Sequence, residues 1–179
     1  MDDADSSGYR LSTRLIWIVA TLALGLTLFL LNRSLYHPAA PWGLLSLELT
    51  RHLADIQPAL SHWLTHAPDT LWTLMYLQIP FAIAWTACLV ALGHSQSARR
   101  RDLFLAGFAL AGFCDLIKGI ALFVLVLAPS EDVMRAVYYF ATLKWGILLP
   151  GLAWLALASL WQRRNLSAGF RGTANDQSS

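Results

Sequence analysis

Residues 103–127 read LFLAGFALAGFCDLIKGIALFVLVL, an apolar run of 25 residues that only Asp115 and Lys118 interrupt with charge. A hydrocarbon core of about 30 Å is crossed by about 20 helical residues, so this run is long enough to span a membrane. In lipid an isolated strand would leave its backbone N–H and C=O groups without partners, and the run is therefore predicted to be a helix.

Three further apolar stretches, at about 15–32, 71–93 and 136–161, have the length of a membrane span. The composition agrees, because 13% of the 179 residues are charged, whereas soluble domains average about 25%. We predict an all-α fold, a four-transmembrane-helix bundle over 1–165 with a disordered cytoplasmic tail at 166–179. The first stretch is expected to be an uncleaved anchor, since it exceeds the apolar core of about 7–15 residues in a signal peptide.

Arginines predict the orientation of the bundle. They concentrate before the first span, between the second and third, and after the fourth: Arg10, Arg14, Arg99, Arg100, Arg101, Arg163, Arg164 and Arg171. Cytoplasmic flanks of membrane proteins are enriched in this way. We expect a multi-pass protein of the inner (plasma) membrane, with both termini cytoplasmic and the loops 33–70 and 128–135 outside.

The long outer loop contains an amphipathic pattern at 41–57, PWGLLSLELTRHLADIQ. Apolar residues recur at helical spacing, which predicts one helix lying at the outer interface or tucked between the spans and ended or kinked at Pro58. Its apolar stripe comprises Trp42, Leu45, Leu49, Leu53 and Ile56. This helix either caps the bundle or forms a lid over a binding cavity, with Glu48 or Arg51 pointing inward.

Charges within the spans are the most informative residues. Asp115, Lys118 and Lys144 are predicted to lie at similar depth, in the outer half of the bilayer. Each costs roughly 2.5–3.5 kcal/mol there unless it is paired or hydrated. One aspartate cannot neutralise two lysines, so either one lysine is neutral, or Glu48 or a bound anionic group supplies further negative charge. The candidate ligand-binding residues are Glu48, Arg51, Tyr76, Asp115, Lys118 and Lys144.

Metal and cofactor sites are not expected from the motifs. His62 and His66 have the i, i+4 spacing that can place two ligands on one helical face, but no third ligand accompanies them. Cys88 and Cys114 lack the spacing of a zinc or redox pair. No stretch combines basic and aromatic residues as a nucleic-acid surface does.

Three stretches carry a resemblance to small bacterial four-helix integral membrane proteins of unassigned function. They are GLLSLELT at 43–50, DLIKGIALF at 115–123 and LKW at 143–145. Members tend to carry Glu-Asn where this chain has Lys118-Gly119. Matched position by position, the resemblance implies that Glu48, Asp115 and Lys144 belong to the shared site, and it implies the four-helix fold without a substrate or reaction.

Four classes of function remain open at this point, one of them an ion or proton pathway that four short helices could form only as an oligomer. The pocket is expected to bind a lipid-like or other amphiphilic ligand, such as a membrane lipid or a quinone-like molecule. Alternatively, the chain is an accessory or assembly subunit whose charges form a structural cluster or meet a partner's membrane helix or a second copy. A third possibility is a membrane enzyme that uses Asp115 or Glu48 as acid or base.

Overall fold

The structure, a computed structural model, describes residues 3–94 and 98–175. All the elements of regular secondary structure named in these ranges are helices. Six α-helices occur in the order α1 (Asp3–Asn32), α2 (Leu45–Leu49), α3 (Leu53–His66), α4 (Pro68–Gly93), α5 (Ala98–Leu127) and α6 (Glu131–Asn175), with a short 3₁₀ helix (Arg33–Leu35) after α1.

Four of these helices are long and apolar enough to cross a membrane, as the sequence predicts. The candidate spans found in the described residues are Thr13–Leu35, Pro68–Gly93, Arg101–Leu127 and Glu131–Trp154. Each begins or ends within several residues of its predicted bounds. α6 continues to Asn175, into the predicted disordered tail, where no proline interrupts it; residues 176–179 of that tail lie outside the described residues.

The four long helices pack in a row. α1 lies against α4, α4 against α5, and α5 against α6. α1 and α6 therefore stand at the two ends of the row, and α2 lies against α6. Residues of both outermost helices line one cavity together with residues of α4 and α5.

Two of the helices that follow loops have recognisable start signals. α4 begins with Pro68, whose missing N–H costs nothing in the first helical turn, followed by Asp69. Before α6, the Ser130 hydroxyl accepts a hydrogen bond from the Val133 N–H at 3.3 Å. Such caps satisfy N–H groups that have no partner within the helix.

The outer segment differs from the single helix predicted at 41–57. It forms two helices, α2 and α3, which are separated at residues 50–52. The break coincides with a long-range contact, because the Glu131 carboxylate accepts the Leu53 N–H at 2.9 Å and lies 3.0 Å from the His52 ring. Pro58 neither ends nor starts a helix; it lies inside α3.

The apolar stripe predicted for that segment is not buried in its first half. Leu45 and Leu49 are exposed, whereas Leu44, Leu47 and Glu48 are buried. A sharp turn sets this rotation: Gly43 has a φ of +56°, a conformation that side chains disfavour, and it packs against Asn32. Glu48 consequently faces the bundle.

Two hydrophobic clusters hold the molecule together. The outer one joins residues of the loop segment 35–63 to the adjoining ends of α4, α5 and α6, and includes the fully buried Trp63, Leu122 and Met134. The other joins α4, α5 and α6 through Trp85, Phe108 and Leu148. The loop is thus an integral cap of the bundle.

Gly112 sets the distance between α4 and α5, and its replacement provides a first test of the fold. A Cβ at Gly112 would lie 2.9 Å from the Thr86 Cβ and 2.6 Å from its Cγ2. We expect Gly112→Ala to destabilise the protein by about 1–3 kcal/mol, as overpacking usually does, in denaturant unfolding in detergent. Gly119→Ala is the matched control, because nothing lies within 4 Å of a Cβ there. Equal stability of both variants would contradict the close α4–α5 packing.

Candidate functional site

Four charged side chains meet inside the bundle. We call them the charge quartet: Glu48, Asp115, Lys118 and Lys144. Each is between 3% and 7% exposed. Two carboxylates and two ammonium groups alternate in this cluster, so that every member contacts both members of opposite charge.

Short distances join the quartet. The Lys144 Nζ lies 2.9 Å from the Asp115 Oδ1 and 3.3 Å from the Glu48 Oε2. The Lys118 Nζ lies 2.8 Å from the same Asp115 oxygen and donates a hydrogen bond to the Glu48 Oε1. The sequence leaves open which lysine pairs with Asp115, and the structure shows that both do.

Three elements bring the quartet together. Asp115 and Lys118 are three residues apart on α5, a spacing that places side chains on one helical face. Lys144 comes from the neighbouring α6. Glu48 lies on α2. The residues just before this helix are fixed by the Asn32 side chain, which accepts a hydrogen bond from the Leu44 N–H (2.7 Å) and donates one to the Trp42 carbonyl (2.9 Å).

Trp85 on α4 completes the shell around Asp115. Its indole Nε1 donates a buried hydrogen bond of 2.8 Å to the Asp115 Oδ2. Both oxygens of Asp115 are therefore engaged, one by the lysines and the other by the indole. This bond also ties α4 to the cluster that α2, α5 and α6 form.

Electrostatics favour the ionised state of Glu48. Burial alone would raise the pKa of its carboxyl, but the ammonium groups of Lys118 and Lys144 outweigh burial and hold that pKa below its ordinary value. Glu48 is thus the second carboxylate that the two lysines face. The quartet contains two ammonium groups and two carboxylates, so its formal net charge is zero.

A cavity of about 500 Å³ adjoins the quartet. Its walls come from α1, α2, α4, α5 and α6, and they are apolar for most of their extent. The lining residues of α4 run from Leu74 to Leu89, which corresponds to about 22 Å along the helix axis at 1.5 Å per residue. The arrangement is an elongated apolar chamber with a compact charged site in its wall.

Two predicted site residues lie elsewhere. Arg51 is exposed, in the break between α2 and α3. Tyr76 is 63% exposed and packs its ring against Trp72 and Phe123, 6.5 Å and 5.3 Å away between centroids. Neither residue lines the cavity.

Two further lining residues, Trp85 and Phe81, are not among the predicted site residues. Gln78 and Trp85 face the cavity from α4, together with Phe81. Gln78, Phe81 and Trp85 are three and four residues apart, and this spacing is the feature of the sequence that places them on one helical face. Tyr76 and Gln78, only two residues apart, point about 200° apart around a helix of 3.6 residues per turn.

Three histidine rings lie close together near the start and the end of the loop segment. His62 and His66 have ring centroids 4.3 Å apart, and His37 lies 5.1 Å from His62. Burial together with His66 and His37 lowers the pKa of His62. Among the described residues, no group of three or more metal-ligating side chains is arranged to hold a metal ion.

Comparisons with family models, with curated proteins and with solved structures found no match for this chain.

Proposed function

We propose that the protein resides in the inner membrane, with both termini cytoplasmic, and binds a lipid-like amphiphilic molecule in the cavity between α1 and α6. The charge quartet would receive the polar end of that molecule. The apolar walls would receive its chain.

One observation carries this proposal: the cavity combines a long apolar chamber with four buried charges in its wall. Its volume falls within the range of about 300–1,000 Å³ typical of small-molecule sites. Such sites are mainly apolar and use a few polar groups to orient the ligand. An amphiphile has the same division between an apolar chain and a polar end.

The order of the helices supports access from the bilayer. α1 and α6 stand at opposite ends of the helix row, and both contribute walls to the cavity. If the four apolar helices span the membrane, the space between α1 and α6 faces the lipid. A membrane molecule would then reach the quartet without crossing water.

Native mass spectrometry in mild detergent tests this function on the wild type and on Lys144→Met. We expect a bound molecule on the wild type that is lost from Lys144→Met, because the variant removes one ammonium group from the cavity wall. Leu143→Met is the matched control, since Leu143 is 48% exposed and does not line the cavity. Adducts that are equal on all three proteins would contradict a site at the quartet.

The balanced charge of the quartet favours a second candidate. A self-neutralising cluster can serve as a structural device that fixes helix register in an accessory or assembly subunit. That function predicts a stoichiometric protein partner after mild extraction and no small-molecule adduct on the wild type. The same mass spectra therefore separate the two candidates.

A further inference from the structure

We infer, on the premise that the cavity binds an amphiphile as proposed above, that the head group it selects is uncharged and carries hydroxyl or carbonyl oxygens. Three observations lead to this class of ligand: the charge balance of the quartet, the donors that its lysines retain, and the free amide of Gln78.

The quartet has no unbalanced charge that could pair with a charged head group. Its two ammonium groups and two carboxylates already neutralise each other at contact distances. The other residues that line the cavity are uncharged. A phosphate or carboxylate head group would therefore add an unbalanced charge to an apolar chamber, where a charge without a counter-charge is unfavourable.

The lysines do retain hydrogen-bonding capacity. An ammonium group has three donors, and Lys118 uses two of them, on Glu48 and Asp115. Lys144 uses two on the same carboxylates, and its Nζ also lies 4.6 Å from the centre of the Trp145 ring. The remaining donor of Lys118 can be given to a neutral oxygen without disturbing the pairing.

Gln78 provides a second uncharged contact at nearly the same depth. On α4 and α5, Trp85 contacts Asp115 and Thr86 contacts Gly112, so residue numbers rise on one helix as they fall on the other. The two helices are therefore antiparallel. Extending this register places Lys118 level with residues 80–82 of α4. Gln78 then lies about 3–6 Å farther out at 1.5 Å per residue.

The Gln78 side chain is available to a ligand. It lines the cavity, and its amide has no hydrogen-bond partner within the part of the chain that the structure describes. An amide both donates and accepts hydrogen bonds. Together with Lys118 it suits a hydroxyl, ester or quinone oxygen.

Three lipids of defined charge distinguish these head groups: dioleoylglycerol, dioleoyl phosphatidic acid and a prenylated quinone. Each is titrated onto the full-length protein in detergent, and its binding is read from the rate at which N-ethylmaleimide alkylates Cys88. Cys88 lines the cavity and is partly exposed, so an occupant should shield it, whereas the buried Cys114 serves as the internal reference.

We expect a neutral lipid to protect Cys88 at about tenfold lower concentration than phosphatidic acid does. The two neutral lipids differ in the oxygen that they present, a hydroxyl or ester oxygen in dioleoylglycerol and a quinone oxygen in the prenylated quinone. The lipid that protects Cys88 better identifies the kind of oxygen that the site prefers. Gln78→Leu should weaken protection by the better neutral lipid about tenfold, which is the effect of losing one hydrogen bond. Gln57→Leu, at an exposed position of α3, is the matched control.

The outcomes separate the inference from the proposed function. Protection by phosphatidic acid at equal or lower concentration would overturn the uncharged head group and leave amphiphile binding intact. Unchanged protection in Gln78→Leu would overturn the role of Gln78. Failure of all three lipids to slow the alkylation of Cys88 would instead contradict the binding function itself.

Discussion

Asp115→Asn is expected to lower the free energy of unfolding by about 3–5 kcal/mol, the usual effect of removing one partner from a buried ion pair. The substitution keeps the shape of the side chain and removes its charge. Lys118 and Lys144 would then share the single carboxylate of Glu48, and one buried positive charge would lack a counter-charge.

Denaturant unfolding in detergent measures this effect, with Asp102→Asn as the matched control. Asp102 lies on the same helix, but its side chain is 81% exposed and it pairs only with Arg101 among the described residues. Exposed pairs of this kind are worth about 0–1 kcal/mol. If Asp115→Asn proves as stable as Asp102→Asn, the quartet does not hold the bundle together.

Removing one charge of each sign should be tolerated far better than the two single losses imply. Glu48→Gln alone leaves two lysines facing one carboxylate, and Lys118→Met alone leaves two carboxylates facing one lysine. We expect each to cost about 3–5 kcal/mol. The double variant keeps Asp115 with Lys144, which are 2.9 Å apart, and restores a net charge of zero.

A double-mutant cycle measures this compensation. We expect the loss in the double variant to be smaller than the sum of the single losses by about 0.5–3 kcal/mol, the range found for residues in contact. The free energies of unfolding of all four proteins are compared in one detergent. Strict additivity would show that Glu48 and Lys118 do not interact.

The four helices and most of the quartet could be predicted from the sequence. A bilayer imposes both the length and the apolar character of a span, so candidate spans can be predicted from the sequence without knowledge of tertiary contacts. Helical rise places Asp115, Lys118 and Lys144 at similar depth, and the excess of lysine over aspartate there makes Glu48 a candidate for the missing counter-charge. The structure places these four side chains together.

Long-range contacts explain the rest. The break between α2 and α3 coincides with Glu131 binding the Leu53 N–H, a contact across 78 residues that helical periodicity does not contain. The inward rotation of Glu48 follows from the turn at Gly43. Trp85 appears in the sequence as one more apolar residue, and its role depends on the side chain that faces it on α5.

Filling the cavity tests the central claim most directly, because it leaves the quartet unchanged. Leu152 lines the cavity and is 39% exposed, whereas Leu149, on the same helix and 58% exposed, does not line it. Native mass spectrometry of Leu152→Trp and Leu149→Trp compares the amphiphile retained by each. Our account predicts that Leu152→Trp loses the bound molecule and that Leu149→Trp keeps it at the wild-type level. Equal retention by both variants would contradict a binding site in this cavity.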